Sequence, residues 1–183
     1  DSILTGIGYW MKYSSSQQNT ISGYPKYLDS ISVFSGWNLI GAIAYPMPTS
    51  AILPSTSIVS DYFGFNGVSY QVVRTLEPGK GYWVKTGGAG TLVLDVNRTT
   101  LKGAIETKNE SILDQLNQLS ISPAGRENSE SIAARLYFGT VNGDAISLEH
   151  FSLPPLPPAG INDIRFSSGR YVELLDGKSI SPV

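Results

Sequence analysis

The sequence predicts an all-β chain with two β-rich domains, each a sandwich or a barrel-like structure. Three observations lead to this prediction: apolar and polar residues alternate at period 2, glycine and proline turn signals are frequent, and charge is scarce. Hydrophobic residues make up 41% of the 183 residues and charged residues only 15%. Because typical soluble domains contain roughly 25% charged residues, this composition suits an all-β secreted protein with polar, uncharged faces and glycine turns.

Composition also excludes several classes of partner and site. The net charge of −2 and the pI near 5.3 supply no basic surface for nucleic acid, so no nucleic-acid partner is expected. The chain has no cysteine, which excludes disulfides and thiolate metal sites but is compatible with export. No apolar run approaches the roughly 20 residues that span a bilayer, so no membrane insertion is expected.

A repeat organises the first half of the chain. The segment Gly8–Lys12 returns as Gly81–Lys85 with one substitution, at an offset of 73 residues, and the flanking glycines match as well. Between the copies, Trp37 lies in a further glycine-flanked motif, Gly-Trp-Asn-Leu-Ile-Gly. Such repetition is typical of stacked structural modules rather than of a single catalytic centre. We therefore expect a repeat-containing β module over residues 1–98.

Local patterns predict the elements of this first domain in order. Residues 33–43 are expected to form a strand pair around Trp37, and the proline-rich residues 45–60 an ordered loop with one helical turn. Asn66-Gly67 separates two aromatic runs and predicts a hairpin with a type I′ turn. Glu77–Lys80 is expected to be a turn with proline at its second position. The alternation through Leu92, Leu94 and Val96 predicts a strand.

Residues 99–183 are expected to form a β-sandwich domain that is truncated at its C-terminal end and has an unpaired sheet edge. Alternation on both sides of the turn-rich residues 123–128 predicts a hairpin, with one strand starting at residue 116 and a short helical turn or a loop at 109–115. A final strand pair is expected at 163–168 and 170–175. Residues 153–158 contain four prolines, which favours a stiff extended crossover over a ligand for a proline-recognition domain.

The large aromatic residues of the repeat have two interpretations. Buried, they form the core of a small domain, which the adjacent glycines favour because these let the backbone approach a flat ring. Exposed, they stack on sugar rings. We expect Trp10, Trp37 and Trp83 to be mostly buried and the tyrosines to be the more exposed rings. The carbohydrate-binding candidates are Tyr9, Trp10, Trp37, Tyr82 and Trp83, within a wider aromatic set that includes Tyr24, Tyr27 and Tyr70.

No motif in the sequence carries catalytic chemistry. His150 is the only histidine, and no Gly-x-Ser-x-Gly elbow presents a nucleophile, so we expect no enzyme activity. We expect no cofactor and no metal site, although the oxygen-rich turns at Asn142–Asp144 and Asp176-Gly177 leave calcium as an alternative to plain turn chemistry.

The tryptophan motifs give the chain a family resemblance. Gly-Trp-Asn-Leu-Ile-Gly at 36–41 and Leu-Glu-Pro-Gly-Lys-Gly-Tyr-Trp-Val-Lys at 76–85 resemble modules near the C-terminal end of large secreted proteins of Bacteroidota-like bacteria. The strings at 136–139, 153–158 and 163–166 look like the β-sandwich that often follows those modules. The resemblance implies type IX export and an extracellular or bacterial cell-surface location. It supplies no catalytic or binding residue.

Two functions remain as hypotheses. The first is a non-catalytic structural, adhesion or spacer region of an exported bacterial surface protein. The alternative is a carbohydrate-binding module attached to a secreted enzyme or adhesin. The expected partners are polysaccharide or other surface proteins, together with self-association through a sheet edge.

Overall fold

The computed structural model describes residues 3–11, 13–20, 22–98, 111–122, 134–141 and 147–175. The predicted all-β class is confirmed. The strands are β1 (Leu28–Val33), β2 (Gly36–Gly41), β3 (Met47–Pro48), β4 (Leu53–Pro54), β5 (Tyr62–Phe65), β6 (Tyr70–Val73), β7 (Thr75–Leu76), β8 (Gly81–Thr86), β9 (Gly90–Asp95), β10 (Asn117–Ile121), β11 (Ala134–Gly139) and β12 (Val172–Leu174). Short 3-10 helices cover Thr49–Ala51 and Leu148–Phe151.

Contacts divide the chain into two compact units. The first consists of Asp1–Gly64 and Val72–Leu101, and the second of Phe65–Gln71 and Lys102–Val183. The segment Phe65–Gln71 thus joins the second unit, although nothing in the sequence separates it from its neighbours.

Two sheets of the first unit contribute to one hydrophobic core. One sheet has the strand order β1-β9-β4 and the other the order β2-β8-β5-β6. Alternate residues of β8 and β9 are buried, so that Tyr82 and Val84 join Leu92 and Leu94 in the same cluster. The period-2 alternation that predicted a strand through Leu92 and Leu94 is confirmed, and it marks the core-facing side.

The predicted strand pair around Trp37 is wrong. Trp37 lies in the single strand β2, whereas β1, which ends at Val33, pairs with β9. Between them the chain bends at Phe34–Gly36, where Gly36 has a φ of 95°. Asn38 holds this bend: its amide oxygen accepts the Phe34 N–H (2.9 Å), and its amide nitrogen donates to the Phe34 and Gly36 carbonyls (2.8 and 2.9 Å). The bend moves the chain from one sheet to the other, so no hairpin forms.

The hairpin at Asn66-Gly67 is confirmed, but its predicted turn type is wrong. Strands β5 and β6 are neighbours in their sheet. Only Gly67 of the two residues has a positive φ, of 95°, whereas a type I′ turn requires both. The Asn66 carboxamide oxygen instead accepts the N–H groups of Val68 and Ser69, both at 2.9 Å, which stabilises a longer loop.

Two other predictions for the first unit are confirmed. Gly79 has a φ of 76° and Lys80 donates its N–H to the Glu77 carbonyl, so Glu77–Lys80 is a turn. The expected helical turn within residues 45–60 is the 3-10 helix Thr49–Ala51. The short strands on either side of it, β3 and β4, were not predicted, because two-residue strands leave no periodic pattern.

The second unit contains the predicted hairpin strands in a mixed sheet. Strand β10 pairs antiparallel with β11, and residues 111–113 are helical, both as expected. The predicted turn at 123–128 lies outside the described residues. The pairing of 163–168 with 170–175 is wrong: Phe166 and Arg170 close only a tight turn at Gly169, and β12 pairs in parallel with β11. The Pro154 and Pro155 carbonyls accept hydrogen bonds from Arg165 (2.9 Å) and Tyr70 (2.8 Å), which anchor the proline segment.

Asn38→Ala should reduce the free energy of unfolding by about 1–2 kcal/mol, because the Phe34 N–H and the Gly36 carbonyl lose the hydrogen bonds that the Asn38 amide provides. Urea denaturation followed by tryptophan fluorescence measures the change. Asn97→Ala, at an exposed position, is the control and should stay within about 0.5 kcal/mol of the wild type. Equal losses in the two variants would show that the Asn38 hydrogen bonds do not stabilise the fold.

Candidate functional site

The second copy of the repeat is a glycine turn closed by a tyrosine hydroxyl. Gly79 adopts a left-handed φ of 76°, which a residue with a Cβ rarely tolerates. The chain then runs into β8, and the Tyr82 hydroxyl accepts the Glu77 N–H at 2.7 Å. The Tyr82 ring is only 2% exposed, so this hydrogen bond lies at the margin of the core.

The first copy forms the same local structure 73 residues earlier. Gly6 has a φ of 78°, and the Tyr9 hydroxyl accepts the Leu4 N–H at 3.2 Å. Position by position, these residues correspond to those of the second copy. The Gly-x-Gly-Tyr motif therefore specifies a tyrosine-closed glycine turn. The two copies share this local structure as well as their sequence.

Both copies border the same strand, β2. On one edge, Gly8 donates its N–H to the Leu39 carbonyl (3.1 Å), and Gly41 donates to the Gly6 carbonyl (3.0 Å). On the other edge, β8 pairs antiparallel with β2 along its whole length. The two repeated segments are thus neighbours of one Gly-Trp-Asn strand within the first unit.

The three segments approach one another most closely at Gly8, where a glycine is required. A Cβ on Gly8 would lie 2.7 Å from Cγ of Leu39 and 2.8 Å from the Ile40 carbonyl oxygen. A Cβ on Gly41 would lie 3.1 Å from the Ile7 carbonyl oxygen, and one on Gly81 would lie 3.4 Å from Cα of Gly8. Distances below 3.0 Å force a displacement, so Gly8 has no room for a side chain.

Trp37 and Trp83 are brought together on the side of the sheet that faces away from Tyr82. Their ring centroids are 6.5 Å apart at 89°, and Trp37 also contacts Phe63 edge-on at 6.0 Å. Phe63 is 1% exposed, and both tryptophans are half-buried. Within the described part of the chain, the buried Trp83 Nε1 has no hydrogen-bond partner. Edge-to-face rings suit mutual packing more than a flat sugar-stacking surface.

Two expectations about burial are wrong. Trp10 was expected in the core but is 38% exposed, because it follows the short pairing at Ile7 and lies outside any named strand. In the second copy Tyr82 was expected to be the more exposed ring but is buried, whereas Trp83 is half-buried. The alternation along β8 places Tyr82 on the core side with Val84, and Trp83 on the opposite side. In the first copy Tyr9 is also exposed, at 44%.

A further aromatic pair was only half identified from sequence. Tyr27 and Tyr45 stack at 5.2 Å with 28° between the ring planes, and are 46% and 47% exposed. Ala44 donates its N–H to the Lys26 carbonyl at 3.0 Å, which holds the two segments together. A hydrogen bond with the Tyr45 hydroxyl raises the pKa of Tyr27. Tyr45 was missed because it lies in a proline-flanked loop with no pattern linking it to Tyr27.

The remaining candidate chemistry is sparse. His150 lies in the 3-10 helix Leu148–Phe151. The possible calcium turns at Asn142–Asp144 and Asp176-Gly177 fall outside the described residues. Across the described ranges, no group of three or more His, Cys, Asp or Glu side chains could hold a metal ion. An open cleft of about 380 Å³ in the second unit has one carboxylate, Asp114, among its lining residues.

Burial raises the pKa of Tyr82 above its ordinary value near 10. Its folded-state pKa exceeds the unfolded one, so its contribution to stability is complete below about pH 10 and is lost as the pH rises through the folded pKa. Tyr82→Phe should therefore lower the free energy of unfolding by about 0.5–1.5 kcal/mol at pH 7. The same variant should also lose less stability than the wild type as the pH rises above about 10.

Urea midpoints between pH 7 and pH 12 measure this effect. Tyr9→Phe removes the equivalent hydroxyl at an exposed site and is the matched control, which at pH 7 should stay within about 0.5 kcal/mol of the wild type. A Tyr82→Phe variant whose midpoint falls as steeply as that of the wild type would contradict the assignment.

Among the described residues, none of the helical segments has the length and apolarity needed to cross a membrane. No protein-family model matches the chain, and no curated protein or solved structure is detectably similar to it.

Proposed function

We propose that the chain is a non-catalytic structural and adhesion module of an exported bacterial surface protein. The observation that carries the proposal is the distribution of exposed apolar side chains. Ten of the sixteen exposed large hydrophobic residues in the described part of the chain lie between Ile3 and Leu28. Exposed apolar side chains concentrated in one stretch of the chain favour contact of that stretch with another molecule.

The rest of the first unit supports a scaffold role. Its core cluster joins residues of both larger sheets, and the first residue of the cluster is Ile31. Large rings such as Tyr24, which is fully exposed, contribute nothing to that core. A body that folds around one core and displays apolar side chains outside it is suited to holding a contact surface in place.

A second candidate function is carbohydrate binding, which the Tyr27–Tyr45 pair favours. The stacked rings are half exposed and lie beside Lys26 and Asp29, whose side chains form an ion pair at 2.7 Å. Sugar rings place their C–H groups against the electron-rich face of an aromatic ring, and polar neighbours can bind the hydroxyls. This arrangement suits a sugar better than the edge-to-face contact of Trp37 with Trp83.

Adhesion can be tested with beads coated with the chain and washed intact cells of a Bacteroidota species. The double variant Tyr24→Ser and Leu28→Ser should retain at least about tenfold fewer cells, since burial of each side chain contributes about 1.5–3 kcal/mol to binding and each ~1.4 kcal/mol is about tenfold in affinity. The control, Leu156→Ser with Leu175→Ser, removes exposed apolar groups from the second unit and should retain wild-type numbers. Retention by the wild type no greater than by albumin-coated beads would overturn the adhesion role.

Carbohydrate binding can be tested by affinity electrophoresis in gels containing xylan, mannan or mixed-linkage glucan. If the second candidate function is correct, one of these polysaccharides should retard the wild type, and Tyr27→Ala or Tyr45→Ala should weaken binding about tenfold or more. Tyr13→Ala removes a tyrosine of nearly the same exposure and is the matched control. Equal mobility of all variants in every gel would exclude the stacked pair as a sugar site.

A further inference from the structure

We propose that residues 3–11, here called the arm, exchange between two copies of the chain, each arm pairing with β2 of its partner. The contact takes place at the outer edge of β2, the edge that does not face β8. This inference goes beyond the proposed function, because it concerns contact between copies of the chain rather than adhesion to another surface.

The pairing contacts of the arm do not depend on which chain supplies it. Gly8 and Gly41 provide the two backbone hydrogen bonds to β2, and Ile7 lies opposite Ile40 in an antiparallel bridge. Backbone groups of a second copy present the same donors and acceptors at the same spacing. An arm from a partner can therefore replace the chain's own arm without loss of a hydrogen bond, as in domain swapping.

The fit at this edge selects a particular occupant. Only a segment with glycine at the Gly8 position can dock, because a Cβ there would meet both the Leu39 side chain and the Ile40 carbonyl oxygen. Gly6 is also required for the left-handed turn that brings the arm onto the edge. An arbitrary strand fails these requirements, whereas the arm of a second copy meets both. The occupant we infer is therefore a second copy of this chain.

Apolar burial supplies the reason for exchange. When docked on its own body, the arm keeps most of its large side chains in solvent: Ile3, Leu4, Tyr9, Trp10 and Met11 are each between 38% and 58% exposed. In the second copy of the repeat, the residue equivalent to Tyr9 is buried. Two arms exchanged between adjacent bodies can cover one another, which a single chain does not achieve.

The segment that follows the arm is long enough for exchange. The described residues between 13 and 27 are all exposed and form no strand before β1 begins at Leu28. Fifteen residues reach roughly 50 Å when extended, at about 3.3–3.6 Å per residue. At the C-terminal end of this segment, Val96 donates its N–H to the Tyr27 carbonyl, so the segment stays attached to the body when the arm leaves.

The chain lacks cysteine, so disulfide trapping gives an unambiguous test. Ile7 and Ile40 form a pair whose flanking residues carry the hydrogen bonds, and such pairs have Cα atoms about 4.5 Å apart, within disulfide range. Chains carrying only Ile7→Cys are mixed with chains carrying only Ile40→Cys and are oxidised. Exchange predicts a disulfide-linked heterodimer. When chains carrying Leu119→Cys replace those carrying Ile40→Cys, the yield of heterodimer should be less than about a tenth of the yield with Ile40→Cys.

A chain with both Ile7→Cys and Ile40→Cys is the positive control for the geometry. If this chain forms only the intramolecular disulfide at every protein concentration and the mixture gives no heterodimer, the arm docks only on its own body and the proposal is wrong. Circular dichroism checks that Ile40→Cys, at a buried position, remains folded.

Sedimentation provides a second measurement that needs no change at Ile40. Tethering gives the chain's own arm an effective concentration in the millimolar range, so exchange should produce dimers that increase with protein concentration. Met11→Ser removes a side chain that is 56% exposed when the arm lies on its own body and that exchange would cover, so it should weaken dimerisation at least about tenfold. Leu156→Ser, which removes an exposed apolar side chain of the second unit, is the matched control and should behave as the wild type. A wild type that stays monomeric up to about 1 mM would overturn exchange, while the cell-retention assay would still test adhesion separately.

Discussion

The structure of the first unit depends on the close approach of three backbone segments at β2. Gly8, Gly41 and Gly81 meet where the two copies of the repeat border one strand, and Gly8 leaves no space for a Cβ. Because the backbones approach so closely, β2 is hydrogen-bonded on both edges, and its Ile40 side chain can point into the core. Gly8, two residues before Trp10, therefore serves the close packing of strand backbones.

The same local motif has different consequences in its two positions. In both copies a left-handed glycine is followed by a tyrosine whose hydroxyl accepts an N–H five residues earlier in the chain. In the second copy, the chain continues into β8, which has a neighbouring strand on each edge, and Tyr82 is buried. In the first copy the pairing stops at Ile7, and Tyr9 remains exposed. Sheet context, not the motif, decides whether the tyrosine ring is buried in the core or exposed.

Local chemistry could be predicted from the sequence, whereas long-range pairing could not. Pro78-Gly79 marked a real turn, and Leu92 with Leu94 marked a core-facing strand, because φ preference and period-2 alternation are properties of neighbouring residues. The parallel pairing of β12 with β11 and the stacking of Tyr45 on Tyr27 have no local signature. For the candidate site, the sequence identified the aromatic residues, but it wrongly predicted Tyr82 as the more exposed ring of the second copy and Trp10 as a buried one.

The central claim, that β2 is paired on both edges by the repeated segments, is tested most directly by amide hydrogen exchange measured by NMR. The Gly8 and Gly41 N–H groups carry the hydrogen bonds between the first copy and β2. The structure predicts that both amides exchange far more slowly than the exposed Gly23 amide, and that Gly8→Ala accelerates exchange at Gly41. Exchange at Gly8 and Gly41 as fast as at Gly23 in the wild-type chain would contradict the account.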